Sequence, residues 1–199
     1  MLQLLGLARP DRGGAHAPFS FDLAGEPGRK LIKDWQRTIS QEGENVYDVK
    51  WRNPDESISL SATVNSFKQF PGIDYLVHIA NHGKQNTPVF ENILPLDITL
   101  DINEVEPINL YYAKGSSCAI DDFLPLETKI VRGKPIALEP DHGRSSCGIL
   151  PFFNLAWKGR GLMIAIGWSG QWIFKIQRDI GGIRIQAGMA ITHLPPPLG

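Results

Sequence analysis

The sequence has few cysteines, and it has no acceptor site for N-glycosylation. Its two cysteines, Cys118 and Cys147, are too few among 199 residues for a disulfide framework. Two free thiols in a reducing compartment are the simpler interpretation, and a single bridge between them stays open. Because no Asn-x-Ser/Thr site occurs either, nothing indicates eukaryotic secretion. We therefore expect a cytoplasmic protein.

The sequence also lacks an excess of charge of one sign, and it has no long apolar run. The net charge is −1, with acids and bases interspersed, which argues against binding to nucleic acids or to an anionic membrane. No apolar run reaches the roughly 20 residues that a membrane span needs. Arg9, Asp11 and Arg12 interrupt the opening segment, residues 1–17, so we expect a frayed or atypical start there and not a signal peptide.

Helical periodicity is scarce, and period-2 alternation dominates the chain. Fifteen prolines and twenty glycines suit turn-rich β structure. Apolar and polar residues alternate in several runs, which predicts strands with one buried and one wetted face. These runs are residues 47–51, 58–64, 73–79, 97–102 and 183–187. The pattern predicts an all-β fold, a large antiparallel β-sandwich.

The stretch from Gly143 to Trp172 reads as a hairpin followed by a second turn. Two strand-like runs flank a turn at residues 158–161. The motif at residues 167–172, GWSGQW, does not match a nucleophile elbow, and a strand follows it instead of a helix. A tight turn at Ser169 and Gly170 with both tryptophans packed is the simpler interpretation. Exposed aromatic side chains that stack on a sugar are the alternative.

Two polar zones, residues 114–122 and 139–146, interrupt the regular alternation. Asp121 and Asp122 are adjacent, so they cannot face each other as the two carboxylates of a glycosidase do. They either belong to a solvated loop or present a carboxylate to a ligand or a neighbouring domain. Residues 141–146, DHGRSS, either form a turn that satisfies its own backbone or bind a sugar or a carboxylate.

A metal site is not expected from the histidines, and no cofactor is predicted. His78 and His82 are four residues apart, but they lie on a predicted strand and a predicted turn, so their imidazoles should diverge.

Several longer segments resemble family 36 glycoside hydrolases, the melibiase-type α-galactosidases. The resemblance covers almost the whole chain in the family's order. It rests on PFSFDLAGEPGRKLIKDWQRTI from Pro18, VKWRNPDESISLSATV from Val49, FPGIDYLVHIANHGKQNTPVFENILPLD from Phe70, GRSSCGILPFFNL, IAIGWSGQW and IRIQAGMAITHL from Ile183.

The resemblance implies only the family's N-terminal β-supersandwich domain, a galactose-mutarotase-like fold, over residues 18–194. Residues 195–199 form a Pro-rich tail, where the family continues through a linker into a (β/α)₈ barrel. In the family that barrel carries an aspartate nucleophile and an aspartate acid/base, and nothing in this chain matches its catalytic motifs. The barrel, a galactoside and a homo-oligomer contact are the implied partners. No catalytic residue is predicted here.

Loops of this domain help to complete the sugar pocket in the family, which points to three segments of this chain. The resemblance carries over to residues 113–116, 143–146 and 168–172, and the polar loop residues above extend the set. The candidate substrate or interface residues are Lys114, Gly115, Ser116, Asp121, Asp122, Asp141, His142, Gly143, Arg144, Ser145, Ser146, Trp168, Ser169, Gly170, Gln171 and Trp172. We expect the three segments to cluster at one edge of the sandwich.

Three functions from different classes stay open. The first is a non-catalytic N-terminal domain of an α-galactosidase, inactive without its barrel. The second is a free-standing carbohydrate-binding module. The third is a mutarotase-type epimerase, for which the candidate acids and bases are His78, His142, His193 and Glu139.

Overall fold

The computed structural model describes residues 17–102, 107–190 and, for the backbone alone, 193–194. Most of the predicted segment 1–17, the tail 195–199 and the side chain of His193 therefore lie outside the described residues. The chain divides into two compact units, which comprise residues 17–95 with 193–194 and residues 96–190 in the described part. All strand pairings in the described part are antiparallel, which confirms the all-β prediction. A single sandwich domain over 18–194 stays a prediction.

The first unit contains two four-stranded sheets, with strand orders β16-β7-β1-β2 and β3-β4-β5-β6. Its strands are β1 Ser20–Leu23, β2 Glu26–Pro27, β3 Gln36–Gly43, β4 Val46–Arg52, β5 Ile58–Ser66, β6 Ile73–Asn81, β7 Phe90–Leu94 and β16 His193–Leu194. A one-turn helix, α1 Gly28–Leu31, and a 3₁₀ turn, Ile32–Asp34, follow β2. Helix α1 lies close to β1, because a Cβ at Gly28 would stand 2.6 Å from the Phe21 ring.

Sheet β3-β4-β5-β6 is a meander whose alternation matches the sequence prediction, except at Ser59 on β5, which is only 3% exposed although the pattern placed it on the wetted face. Val49 and Trp51 on β4 are buried, as are Leu60, Ala62 and Val64 on β5. Trp51 is 1% exposed, and Phe19 meets it edge-on with ring centroids 5.1 Å apart. This confirms the predicted burial of Trp51.

Three other residues predicted to be largely buried are only half-buried. Tyr75 and Val77 lie on β6, which ends its sheet and has a strand on one side only. Trp157 is the last residue of β12, next to the hairpin turn in the second unit. An edge or terminal position leaves one flank of a side chain without a neighbouring strand, so the alternating pattern overstates burial there.

The second unit also contains two four-stranded sheets, with orders β10-β9-β12-β13 and β11-β14-β15-β8. Its strands are β8 Leu96–Leu100, β9 Ile108–Ala113, β10 Pro125–Lys129, β11 Ile136–Leu138, β12 Phe152–Trp157, β13 Arg160–Ala165, β14 Trp172–Asp179 and β15 Gly182–Met189. Aromatic rings join the two sheets, since Phe153 of β12 stacks on Phe174 of β14 at 3.9 Å between centroids. Trp172 meets Phe153 edge-on at 5.8 Å.

The predicted hairpin is present and its turn is tighter than expected. Strands β12 and β13 pair from Phe152↔Ala165 to Trp157↔Arg160, so only Lys158 and Gly159 form the loop. Both loop residues have positive φ, 46° and 70°, as a two-residue hairpin of type I′ requires. The hairpin prediction is confirmed, and Arg160 and Gly161 belong to β13.

The burial of Asp97 contradicts the prediction that its face of β8 is exposed to water. Its alternation with Ile98 and Leu100 predicted exposure, but Asp97 is only 2% exposed. Arg184 of the neighbouring strand β15 donates two hydrogen bonds to its carboxylate at 2.8 and 2.7 Å, and Gln186 donates a third at 3.2 Å. The bond to Asp97 raises the pKa of Arg184. Cross-strand partners thus cover a carboxylate that its own strand pattern would leave in water.

No helix in the described part of the chain is long and apolar enough to cross a membrane.

Candidate functional site

Three connections of the second unit lie at the same end of its strands. They join β9 to β10 (residues 114–124), β11 to β12 (139–151) and β13 to β14 (166–171). Antiparallel pairing places the ends of β9, β11 and β13 beside the starts of β10, β12 and β14. We call these three connections the loop cluster. They contain the three predicted segments, except that Ala113 is the last residue of β9 and Trp172 is the first residue of β14.

The first and second connections are bonded through their backbones. Gly115 N–H donates to the Gly148 carbonyl at 2.8 Å, and Ser116 N–H donates to the Ser146 carbonyl at 2.8 Å. Gly115 is buried in this contact, and a Cβ there would stand 2.2 Å from the Ser146 oxygen. Glycine is therefore required by close backbone approach at this position, which is a structural reason for its presence.

Gln171 and Trp172 fasten the second connection to the third. The Gln171 side chain accepts from Gly143 N–H at 3.0 Å and donates to the Pro140 carbonyl at 2.8 Å. Trp172 Nε1–H donates to the Ser145 carbonyl at 2.8 Å. These bonds join residues 27 to 31 positions apart. The hydrogen bonds thus bring all three predicted segments together, while their role in binding stays a prediction.

The two adjacent aspartates hold their own loop. Asp122 accepts from Ser116 Oγ at 3.0 Å, from the backbone and hydroxyl of Ser117 at 2.8 and 3.2 Å, and from Cys118 N–H at 2.9 Å. The Ser117 backbone bond is the main cause that lowers the pKa of Asp122. Asp121 pairs with Lys114, whose hydrogen bond and charge lower the pKa of Asp121. Both carboxylates therefore stabilise the loop, which favours the structural interpretation.

The second connection closes its turn with backbone groups. Arg144 N–H donates to the Asp141 carbonyl at 3.2 Å, and Cys147 N–H donates to the Arg144 carbonyl at 3.1 Å. His142 and Gly143 both have positive φ, 56° and 70°. The Asp141 carboxylate lies against Gly148, where a Cβ would be 2.2 Å from Oδ2.

The side chains of His142 and Arg144 are exposed on this turn. Among the described residues, neither side chain takes part in a hydrogen bond or an ion pair that would occupy it. A guanidinium and an imidazole are therefore available for contact from outside the unit. Ser145 is half-buried and Ser146 exposed, and their backbone carbonyls accept two of the bonds that hold the cluster together.

The two tryptophans of the third connection have different environments. Trp172 is fully buried, so it supports the cluster from the core and has no surface to offer a ligand. Trp168 is 44% exposed, and its indole lies over Gly170, where a Cβ would be 2.9 Å from Nε1. The interpretation in which both tryptophans pack is therefore wrong for Trp168. Trp172 starts a strand with an inward side chain, whereas Trp168 lies in a connection between two sheets.

Apolar side chains near the loop cluster were absent from the predicted set. Ile120, Phe123 and Leu124 of the first connection are exposed, and so is Phe152 at the start of β12. Phe123 also has a positive φ of 64°, which is uncommon for an aromatic residue. The signal in the sequence was the apolar content of residues 119–124, AIDDFL, which overlap the zone 114–122 that we classified as polar and extend two residues beyond it.

The remaining candidates lie elsewhere or stay isolated. Cys118 is exposed and Cys147 half-buried, and both are free thiols, although their connections are bonded together. In the first unit, His82 Nε2 lies 2.7 Å from Ser59 Oγ, while His78 is exposed on β6. The described residues contain no group of three or more potential metal ligands.

The fold and the loop cluster define a class of protein, an antiparallel β domain in which three connections at one end of the strands are bonded to one another. No family model matches the sequence, and no curated protein does. Solved structures do match. The α-galactosidase AgaA of family 36 from Geobacillus stearothermophilus, in complex with 1-deoxygalactonojirimycin, aligns with TM-score 0.65 and 13% identity over 91% of this chain.

Two further enzymes give the same result. AgaB from Geobacillus stearothermophilus aligns with TM-score 0.65, 12% identity and 91% coverage of this chain, and the Lactobacillus brevis α-galactosidase with 0.66, 13% and 92%. This chain spans only 29%, 29% and 28% of the lengths of the three enzymes. The chain therefore has the fold of a segment of family 36 α-galactosidases, as the resemblance implied, and it is less than a third as long as they are.

Proposed function

We propose that this chain is the non-catalytic N-terminal domain of a retaining α-galactosidase, where it completes a sugar pocket formed with a (β/α)₈ barrel. One observation carries the proposal: nearly all of this chain matches less than a third of each enzyme. The parts of those enzymes that have no counterpart here leave room for a catalytic domain. The domain's role is then to supply loops and contacts, including contacts between subunits.

The loop cluster supplies groups that suit a galactoside. Trp168 is 44% exposed, and an exposed indole can stack on the apolar face of a pyranose ring. Arg144 and His142 offer donors that no described residue occupies, and sugar hydroxyls accept such hydrogen bonds. Asp121 and Asp122 are committed to their own loop, so we assign them the support of that loop.

The proposal requires that the chain alone does not hydrolyse α-galactosides. A retaining glycosidase needs two carboxyl groups about 5 Å apart on opposite sides of the scissile bond, and the adjacent pair in this loop has no such arrangement. The measurement is hydrolysis of a chromogenic α-galactoside by purified protein. Turnover that survives repurification and is lost on heating would contradict the proposal.

The decisive experiment restores the implied partner. The gene is read beyond the codon for Gly199, and any barrel encoded there is expressed with and without this chain. We expect hydrolysis only, or much faster, when both are present. Trp168→Ala and Arg144→Ala should then raise KM in the complex. Ile180→Ala is the matched control, because Ile180 is 84% exposed on the turn at the opposite end of the second unit.

A free-standing carbohydrate-binding module is the second candidate, and the exposed indole of Trp168 favours it. Titration calorimetry with galactose separates the two candidates. A domain that holds half of a pocket should bind galactose weakly or not at all, because the remaining contacts are missing. Tight binding by the chain alone, lost in Trp168→Ala, would favour the module instead.

A further inference from the structure

The sheet β10-β9-β12-β13 of the second unit has two edge strands of different chemistry. Strand β10 has the sequence PLETK, with a proline and two charges in five residues. Strand β13 has the sequence RGLMIA, with one charge at its first residue. Proline and charged side chains on an edge strand prevent pairing with another chain. Strand β10 has this protection, and β13 lacks it.

The hairpin turn fixes which backbone groups of β13 point outward. Trp157 and Arg160 flank a two-residue loop, so they form a hydrogen-bonded pair, and such pairs alternate along an antiparallel ladder. The bond from Ile166 N–H to the Pro151 carbonyl, 3.0 Å, continues the same alternation. The N–H and C=O groups of Gly161, Met163 and Ala165 therefore point away from β12. In the described part of the chain, no strand pairs with that side.

The same reasoning on β10 gives a matched contrast. Bonds from Ile130 N–H to the Ile108 carbonyl and from Lys114 N–H to the Leu124 carbonyl flank its ladder. Residues Pro125, Glu127 and Lys129 therefore occupy the outward positions of β10. Pro125 has no N–H to offer another strand.

Strand β13 is also regular and apolar enough to be paired. Its six pairs with β12 run without a bulge, and Met163 is 82% exposed. An unprotected, regular, apolar edge is a template for strand addition. We infer that β13 pairs antiparallel with β13 of a second copy of this chain, about a two-fold axis at Met163.

Charge selects the antiparallel arrangement of the two copies. Antiparallel pairing places Arg160 of the two subunits at opposite ends of the shared ladder, whereas parallel pairing would set them side by side. Gly161 then faces the partner's Ala165, and Met163 faces the partner's Met163. The outward groups of all three positions find partners, and the two sheets become one continuous sheet.

The proposed function includes a contact between subunits, and this inference places that contact at β13. The inference rests on the proposed function in no other respect. It does not involve the loop cluster or a sugar. A monomeric protein would overturn the inference and the subunit contact, and it would leave the role of the domain in the sugar pocket of an α-galactosidase standing. Conversely, a dimer that binds no sugar and supports no barrel would leave the inference standing.

Sedimentation velocity over a concentration series tests the pairing. Met163→Pro removes an N–H that points away from β12, so no bond within the sheet is lost. We expect its self-association to weaken about tenfold or more relative to the unsubstituted chain. Glu127→Pro is the matched control, since it removes an outward N–H from the other edge of the same sheet. It should leave the association unchanged.

A charge swap at the two-fold axis keeps the test valid if proline prevents folding. In Met163→Lys or Met163→Glu, like charges meet across the axis, and each variant alone should sediment as a monomer. An equal mixture of the two should recover the dimer. The inference is overturned if the unsubstituted chain is monomeric throughout, if Met163→Lys dimerises like it, or if Glu127→Pro dissociates the dimer as strongly as Met163→Pro.

Discussion

The turn between β4 and β5 in the first unit is held mainly by local bonds, whereas the three connections at the loop end of the second unit are bonded to one another. In the turn between β4 and β5, Asp55 accepts from Ser57, and Asn53 accepts from Ile58 N–H, over two and five positions of sequence. In the loop cluster, Gln171 and Trp172 bond to carbonyls 31 and 27 positions earlier. The turn between β4 and β5 satisfies its own backbone, whereas the loop cluster also relies on hydrogen bonds between connections that are distant in sequence.

The largest effects are expected from substitutions of a buried tryptophan in the core of each unit. Trp51→Ala in the first unit and Trp172→Ala in the second should each lower the free energy of unfolding by about 3–5 kcal/mol, through lost burial and a cavity. Trp172→Ala also removes the bond to Ser145. Urea unfolding is the measurement. A loss below about 1 kcal/mol in either variant would mean that its tryptophan is not in a packed core.

Gly115→Ala tests the mutual dependence of the loops directly. A Cβ there would stand 2.2 Å from the Ser146 oxygen, so the first and second connections must separate. We expect a loss of about 1–3 kcal/mol in urea unfolding. Gly167→Ala is the control from the same cluster, because no atom lies within 4 Å of a Cβ there. Equal effects of the two substitutions would show that the close contact is not what stabilises the cluster.

Low pH should destabilise both the turn between β4 and β5, through Asp55, and the first connection of the loop cluster, through Asp122. Hydrogen bonds hold the pKa of Asp122 and the pKa of Asp55 below the usual value, that of Asp55 chiefly through Ser57. A depressed folded-state pKa gives stability that is present above the unfolded-state pKa and is lost as pH falls through the folded-state value.

Amide hydrogen exchange at low pH measures the contributions of Asp55 and Asp122. As pH falls below the ordinary aspartate range, protection relative to the intrinsic rate should fall at Ser117 and Cys118 in one unit and at Ser57 in the other. Asp122→Asn should remove the pH dependence at Ser117 and leave that at Ser57, and Asp55→Asn should do the reverse. If Asp122→Asn alters both sites alike, the two connections are not independent.

The smallest effect is expected at the surface of the loop cluster. Trp168→Ala should change the free energy of unfolding by no more than about 0.5 kcal/mol, because Trp168 is 44% exposed and its removal leaves Gln171 and Trp172 bonded. Urea unfolding beside Trp172→Ala gives the comparison. A large loss in Trp168→Ala would mean that its contact with Gly170 supports the third connection.

Alternation along single strands made much of the fold predictable. Residues 58–64 and 183–187 bury the side chains that their patterns assign to the core, since a strand turns successive side chains to opposite faces whatever it packs against. The β12–β13 hairpin was predictable because its turn needs positive φ at two adjacent residues, which Gly159 provides easily. These properties depend on neighbours in the sequence.

The clustering of the three loop segments was predictable, and the contacts that their residues make were not. The polarity of residues 114–122 and 139–146 indicated irregular connections, and the family resemblance added residues 168–172. Nothing in those segments showed that Asp122 would bind Ser116, Ser117 and Cys118. The exposed apolar residues of the first connection were overlooked for the same reason, because exposure depends on what other segments cover.

The sequence alone determined the all-β class, most strand faces and the hairpin, because local sterics and alternating burial fix each of these. The resemblance to a segment of α-galactosidases rested on longer stretches of sequence and not on those local properties. The tertiary structure decided that Asp97 is buried under Arg184, that Trp172 supports the core while Trp168 faces solvent, and that three distant connections hydrogen-bond to one another. Such contacts join residues far apart in the chain, so their formation depends on the packing of whole sheets and not on any local pattern.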